Sequence, residues 1–356
     1  MRWVVAASAV VVAAASSCSA ARAATRLQGA GATFPAPFYK RLVVIYQQLH
    51  PNVLIDYQSI GSGGGIRAIT DRTVNFCGSD APMTKRELAT AGGDANIVEV
   101  PSCAGGVVAI YNVPGLKDGL KISGELLADI YLGKVSHWND PAIAALNPGV
   151  DLPSAAITPV WRTDASGTTF VFTNYLGTQA EEFITTIGAG KQVQWPFGQG
   201  GKGNEGVTAV VQQTEGGIGY VEQSYADNNH LLSGALKNKA GKFVKASPDT
   251  VSKAGAAAEF KKGESLLACD IWNQAGDEAY PIASFTYLIV YKDLKNLPDK
   301  NAAQDLADFL WWTTHEGQRY ATDLGYAPLA PEVQAKVEKA FQGLTFRGEP
   351  LRIGGK

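Results

Sequence analysis

Alternation of apolar and polar positions divides this chain into short strands and helices that follow one another along most of its length. Runs of period two, or apolar throughout, predict strands at 53–58, 107–111 and 285–291. Apolar positions at helical spacing predict helices at 37–48, 84–91, 123–132, 168–176, 206–213 and 302–314. Such alternation predicts α/β sheets. No internal repeat and no low-complexity linker interrupts it. A two-domain chain without a linker often passes between its domains more than once. The runs 107–111 and 285–291 are apolar enough to be such crossings, or else simply buried strands.

Three β-like runs break into loops of small residues that open straight into helical patterns. The loops are Gly29-Ala30-Gly31-Ala32-Thr33-Phe34, Gly61-Ser62-Gly63-Gly64-Gly65 and Asp164-Ala165-Ser166-Gly167-Thr168-Thr169. Free N–H groups at a helix start, side chains small enough to admit an oxyanion, and hydroxyls that donate make a cradle for a tetrahedral anion. Taken singly, each loop is a plain turn and cap, since Gly and Ser open loops everywhere. Three in one chain, with Arg162 beside the third, carry more weight.

The amino terminus changes the compartment. Met1-Arg2-Trp3, an apolar run from Val4 to Ala15 and Ala21-Arg22-Ala23 make a secretory leader over 1–23, too short to span a bilayer. Cys18 admits a lipoprotein reading, but Ala15 stands where that site wants Leu, so ordinary cleavage after Ala23 is expected. Of 31 Lys and Arg, Arg2 and Arg22 leave with the leader, and 29 then face 33 Asp and Glu. A net charge of about −4 carries no nucleic-acid footprint, and local donors rather than overall attraction must capture any anion.

Other motifs fall away. Gly198-Gln199-Gly200-Gly201-Lys202-Gly203 fits a dinucleotide glycine pattern but follows Trp195-Pro196-Phe197 rather than a clear strand, and Gly203 stands where a P-loop needs Ser or Thr. A loop is expected there, with no cofactor. Ser62 and Ser166 lack the glycine two residues before the serine that a nucleophile elbow requires, Ile60 and Asp164 standing there. His50, His137, His230 and His315 stand alone, and the cysteines have no zinc spacing, so no metal is expected.

Four segments then carry a specific resemblance: Gly29-Ala30-Gly31-Ala32-Thr33-Phe34-Pro35, Tyr57-Gln58-Ser59-Ile60-Gly61-Ser62-Gly63-Gly64, Gly78-Ser79-Asp80-Ala81-Pro82 and Ser166-Gly167-Thr168-Thr169-Phe170. They resemble the periplasmic phosphate-binding proteins that feed the high-affinity ABC phosphate importer. The match continues through Gly200-Gly201-Lys202-Gly203-Asn204 and Gly217-Ile218-Gly219-Tyr220 to Asp323-Leu324-Gly325-Tyr326. The resemblance implies a two-lobed α/β substrate-binding protein, with crossing hinge strands and the ligand cleft between lobes. Lobe I would be 24–108 with 284–356, and lobe II 109–283. Inorganic phosphate would be held by Thr33, the Phe34 N–H and Ser62 from one lobe. Arg162, Ser166, the Gly167 N–H and Thr168 would hold it from the other. Asp80 would accept from the ligand's own hydroxyl, and Asp164 would pair with Arg162. Ala165 departs from the family, where Gly is usual, but removes no donor. Each polar residue also has a plain role by itself: Asp80 in a turn, Arg162 as a surface cation, Ser166 as a cap.

The resemblance further implies a periplasmic or extracytoplasmic monomer that works with membrane permease and ATPase subunits and catalyses nothing. Two alternatives stand beside it: a secreted phosphatase with Ser62 or Thr168 as nucleophile, and a receptor for another tetrahedral oxyanion. Hydrolysis wants a base or metal beside the hydroxyl, and no histidine lies near these loops. Against sulfate stands Asp80, which needs a proton on the ligand. Export also permits a disulfide. Cys77 and Cys103, both flanking β-like runs of the first lobe, are expected to pair, leaving Cys269 a buried free thiol.

Overall fold

The computed structural model describes residues 24–258 and 270–354. The expected leader with Cys18, and the expected free thiol of Cys269, lie outside them. Strands β1 (Thr25–Gly31) and β2 (Val53–Ser59) begin by burying alternate residues, as a sheet with one covered face requires. They pair in parallel across α1 (Ala36–Leu49), which buries Phe38, Tyr39, Leu42, Ile45 and Tyr46 on one face. Next come α2 (Ser62–Thr70), β3 (Phe76–Ser79) parallel to β1, and α3 (Lys85–Thr90).

The sixteen-residue β4 (Ile97–Asn112) is buried without a break from 100 to 111. At about 3.3 Å per residue it spans roughly 50 Å. It serves two half-sheets. From Ile97 to Gly106 it pairs antiparallel with β9 (Ala283–Tyr291), which lies between it and β3. From Val107 to Asn112 it pairs antiparallel with β7 (Gly217–Glu222). The second half-sheet continues through β5 (Thr158–Arg162) and β6 (Gln199–Gly201), both parallel, with β8 (Leu232–Ser233) also on β4. The order is β2-β1-β3-β9-β4-β7-β5-β6.

Helices α4 (Gly124–Tyr131), α5 (Gly167–Gln179) and α6 (Gly203–Gln213) belong to the second half, while α7 (Lys300–Thr314) packs on β1 and β4. The six expected helices are all present, each end within three residues of its expected place. The expected strand 107–111 is the second part of β4, so the passage between halves falls just before it, at Gly106–Val107. The return falls at Ile282–Ala283, where the Val107 N–H donates to the Ile282 carbonyl at 2.8 Å.

Two expectations are corrected. The stretch 198–203, read as loop, holds β6 and the start of α6; its glycines hide a strand that pairing with Val160, Trp161 and Arg162 defines. Cys77 and Cys103 form no disulfide: both are free and buried. Cys77 pairs with Ile289 and Cys103 with Thr286, on opposite sides of β9. Two strand spacings, roughly 9.5 Å, exceed the reach of about 7 Å between bridged Cα atoms.

Candidate functional site

Every sequence-predicted site residue lies at or just beyond the carboxyl end of a strand, where loops open into helices and the two half-sheets face each other. That is the usual ligand crevice of open α/β sheets. Thr33 and Phe34 follow β1, Ser62 follows β2, Asp80 follows β3, and Arg162 ends β5 ahead of Asp164, Ser166, Gly167 and Thr168. The halves meet here. Gly63 N–H donates to the Ala165 carbonyl at 2.9 Å, and Gly167 N–H donates to Ser62 Oγ at 3.0 Å.

Ser62 is fully buried at the first turn of α2, and its oxygen also accepts the Asp80 N–H at 3.2 Å. Gly61 before it sits at φ 83°, a left-handed turn that suits glycine. The Asp80 carboxyl is 2% exposed. Thr286 of β9 donates to its Oδ1 at 2.8 Å, and Oδ2 stands 3.5 Å from Ser62 Oγ. Burial pushes the Asp80 carboxyl up to about 7, against the pull of Thr286, Arg162 and Ser62. A side chain at Gly167 would run into Ser62 Oγ and the Asp80 carboxylate, so only a bare backbone N–H fits between them.

Arg162 is buried, not a surface cation, with its side chain 1% exposed. Nε and Nη2 grip Asp164 Oδ1 and Oδ2 at 2.8 and 2.6 Å, and Nη1 reaches Thr168 Oγ1 at 3.4 Å. Burial raises the Asp164 carboxyl, but the Arg162 donors and charge and the Gly203 N–H outweigh it, leaving Asp164 below the usual carboxylate range. It is a fixed counter-charge that orients the guanidinium. Ser166 is a cap as well as a site residue: its Oγ accepts Thr169 N–H at 3.1 Å at the start of α5. Phe34 sends its ring into the core beside Tyr326, whose hydroxyl donates to the Phe34 carbonyl at 2.7 Å.

Sequence reasoning did not single out Asn204. Fully buried at the start of α6, it donates through Nδ2 to Thr33 Oγ1 at 2.8 Å and to Thr168 Oγ1 at 3.3 Å, and its Oδ1 accepts the Glu222 N–H at 3.2 Å. It thus ties hydroxyls of both halves together. Its one signal was membership of the Gly200–Asn204 segment in the resemblance. Thr286, which aims Asp80, had no signal beyond lying in an apolar run. None of the four histidines bonds to a site residue among the described residues, and no His, Cys, Asp and Glu group there could hold a metal.

The assembled site offers hydroxyls, backbone N–H groups and one guanidinium, with one carboxyl aimed among them. Such a set takes a tetrahedral oxyanion that carries a proton.

A PBP superfamily domain model matches residues 18–314. The phosphate-binding protein PstS of Pasteurella multocida is 42% identical over 320 residues, 90% of each chain. PstS of Xylella fastidiosa strain 9a5c is 41% identical over 314 residues, 88% of this chain and 84% of its own. In fold, the chain is similar to a high affinity periplasmic phosphate-binding protein solved with phosphate bound, at TM-score 0.71 and 22% identity, covering 93% of this chain and 96% of that one. A phosphate-binding protein from Stenotrophomonas maltophilia aligns at TM-score 0.67 and 20% identity, covering 88% and 93%.

Proposed function

The chain belongs to the PstS phosphate-binding proteins of the PBP superfamily, and on that premise we propose that it binds inorganic phosphate outside the cytoplasm and delivers it to an ABC importer. Two lobes, joined at the crossings Gly106–Val107 and Ile282–Ala283, close over one anion. From the first lobe Thr33, the Phe34 N–H and Ser62 donate; from the second, Arg162, Ser166, the Gly167 N–H and Thr168. Asp164 holds the arginine, and Asn204 holds the two threonines. The observation that carries the reading is Asp80. It is a buried carboxyl turned toward Ser62 and the start of α5, and its charged form tolerates an anion only if the anion brings a proton. Phosphate near neutrality brings one; sulfate does not.

The protein acts as a receptor and not as a phosphatase. Ser62 Oγ accepts two backbone N–H groups and Thr168 Oγ1 faces Arg162 and Asn204 donors, which holds both oxygens as acceptors rather than nucleophiles. The receptor works as a monomer with permease and ATPase subunits, released by cleavage after Ala23 rather than anchored through Cys18. Titration calorimetry of the mature protein with phosphate, arsenate and sulfate tests the ligand. Phosphate at one per chain with sulfate silent is the expected result, and sulfate binding as tightly as phosphate refutes it. Release of phosphate from an aryl phosphate ester would restore the phosphatase reading.

A further inference from the structure

Among the described residues, one ion pair joins the two halves outside the anion site. Lys191 Nζ reaches Glu87 Oε1 at 2.6 Å and Oε2 at 2.8 Å across 104 residues of sequence. Glu87 lies on α3 of the first half. Lys191 is fixed to the second half, because its carbonyl accepts the N–H of Ser166, the cap of α5, at 2.7 Å. The neighbouring Gly190 N–H donates to Thr173 of the same helix at 3.1 Å. The pair borders a cleft of about 720 Å³ between the halves, lined also by Arg67, Arg86, Asp164 and Gln192.

This contact differs from the surface ion pairs. Lys191 and Glu87 are 14% and 27% exposed, whereas the partners in Lys134–Glu182, Lys245–Asp118 and Lys300–Glu349 are 46% to 70% exposed. Glu87 is also held before the lysine arrives. As the third residue of a capping box, its Oε2 accepts the Thr84 N–H at 2.8 Å and the Thr84 hydroxyl at 2.9 Å. The rotamer entropy that makes exposed pairs weak has thus already been lost to helix capping on one side.

We propose that Glu87 and Lys191 form a closure latch, a pair that touches no ligand but sets ligand residence time by favouring the closed arrangement of the lobes. The proposal rests on the phosphate reading. A contact made only when the halves meet stabilises only that state, so it tightens binding of any ligand that needs both halves. Its loss acts on release and leaves capture by the open form unchanged.

The test uses E87Q, K191M and the double variant. Glutamine keeps the capping box while removing the charge, and Lys191 caps nothing with its side chain. Calorimetry and stopped-flow release with inorganic phosphate should show each single variant releasing about five- to tenfold faster, with association unchanged and the double variant no worse than either single. Wild-type release rates in the singles, or losses that add, overturn the latch. The wild type is titrated first: failure to bind phosphate overturns the functional reading instead. The latch is then judged by small-angle scattering of the ligand-free proteins. An expanded E87Q supports it there, and an unchanged profile overturns it.

Discussion

Replacing Asp80 by Asn should admit sulfate. Thr286 donates to Oδ1 and fixes the plane of the carboxyl, so Oδ2 is the oxygen turned toward Ser62 and the start of α5. In the variant, Thr286 keeps the amide oxygen and the NH2 takes the place of Oδ2. Sulfate, which offers acceptors only, then meets a donor in place of a charge. A buried polar group left unmet costs about 1–3 kcal/mol, and more when charged, so sulfate should gain about two decades of affinity or more. Phosphate should lose at most about tenfold, because the amide can turn its carbonyl to the ligand hydroxyl for the loss of one neutral hydrogen bond, about 1 kcal/mol. The pH dependence sharpens the test. With the Asp80 carboxyl at about 7, roughly a tenth of empty sites hold it protonated at pH 8 and roughly nine tenths at pH 6. A protonated Asp80 donates as the amide does. Sulfate affinity of the wild type should therefore rise about tenfold between pH 8 and pH 6, and that of D80N should stay flat. Displacement of labelled phosphate by sulfate at both pH values measures all four quantities. Equal sulfate rejection by wild type and variant, or a flat wild-type profile, refutes the role given to Asp80.

Arg162→Ala should weaken phosphate binding by about one to two decades, the worth of a charge-assisted hydrogen bond in a closed site, and Arg162→Lys should restore only part because it lacks the planar fork; calorimetry checks both, with circular dichroism showing the fold retained. Gly167→Ala places a methyl against Ser62 Oγ and Asp80 and should abolish tight phosphate binding in calorimetry, with circular dichroism showing the fold retained. Glu222, at about 8, and Asp80 and Glu99, at about 7, are raised above their unfolded values chiefly by burial. The folded chain therefore binds more protons than the unfolded one between about pH 4 and 8, and stability should fall as pH rises through that window. Thermal melts of ligand-free protein at pH 5 and pH 8 read this directly, and a higher melting temperature at pH 8 would contradict it.

The helices and the three loops were legible because each rests on local chemistry: apolar spacing for α1 and α7, hydroxyl and glycine at the starts of α2 and α5. Thr33, Ser62, Arg162 and Ser166 stood in or beside those loops, whereas Asp80 and the convergence of the whole set came from the resemblance. Asn204 could not. One amide after a run of glycines has no local mark, and its role exists only because Thr33 arrives from 171 residues away. Likewise β6 has no β-branched residue and is a strand because β5 lies beside it. The expected Cys77–Cys103 bridge failed on β9, which enters between their strands from the far end of the chain.

That late insertion of β9 also governs when the protein can fold. Ile97 waits for Tyr291 and Cys77 for Ile289, so the amino-terminal sheet stays gapped along β3 and β4 until nearly 290 residues have been made. Loop closure over such distances is slow, and folding slows with it. A nascent chain of this topology cannot reach its final form from its leading portion alone. Completion of the first half-sheet is a late event in synthesis, and the strand that carries the chain back from the second half is the one that closes it.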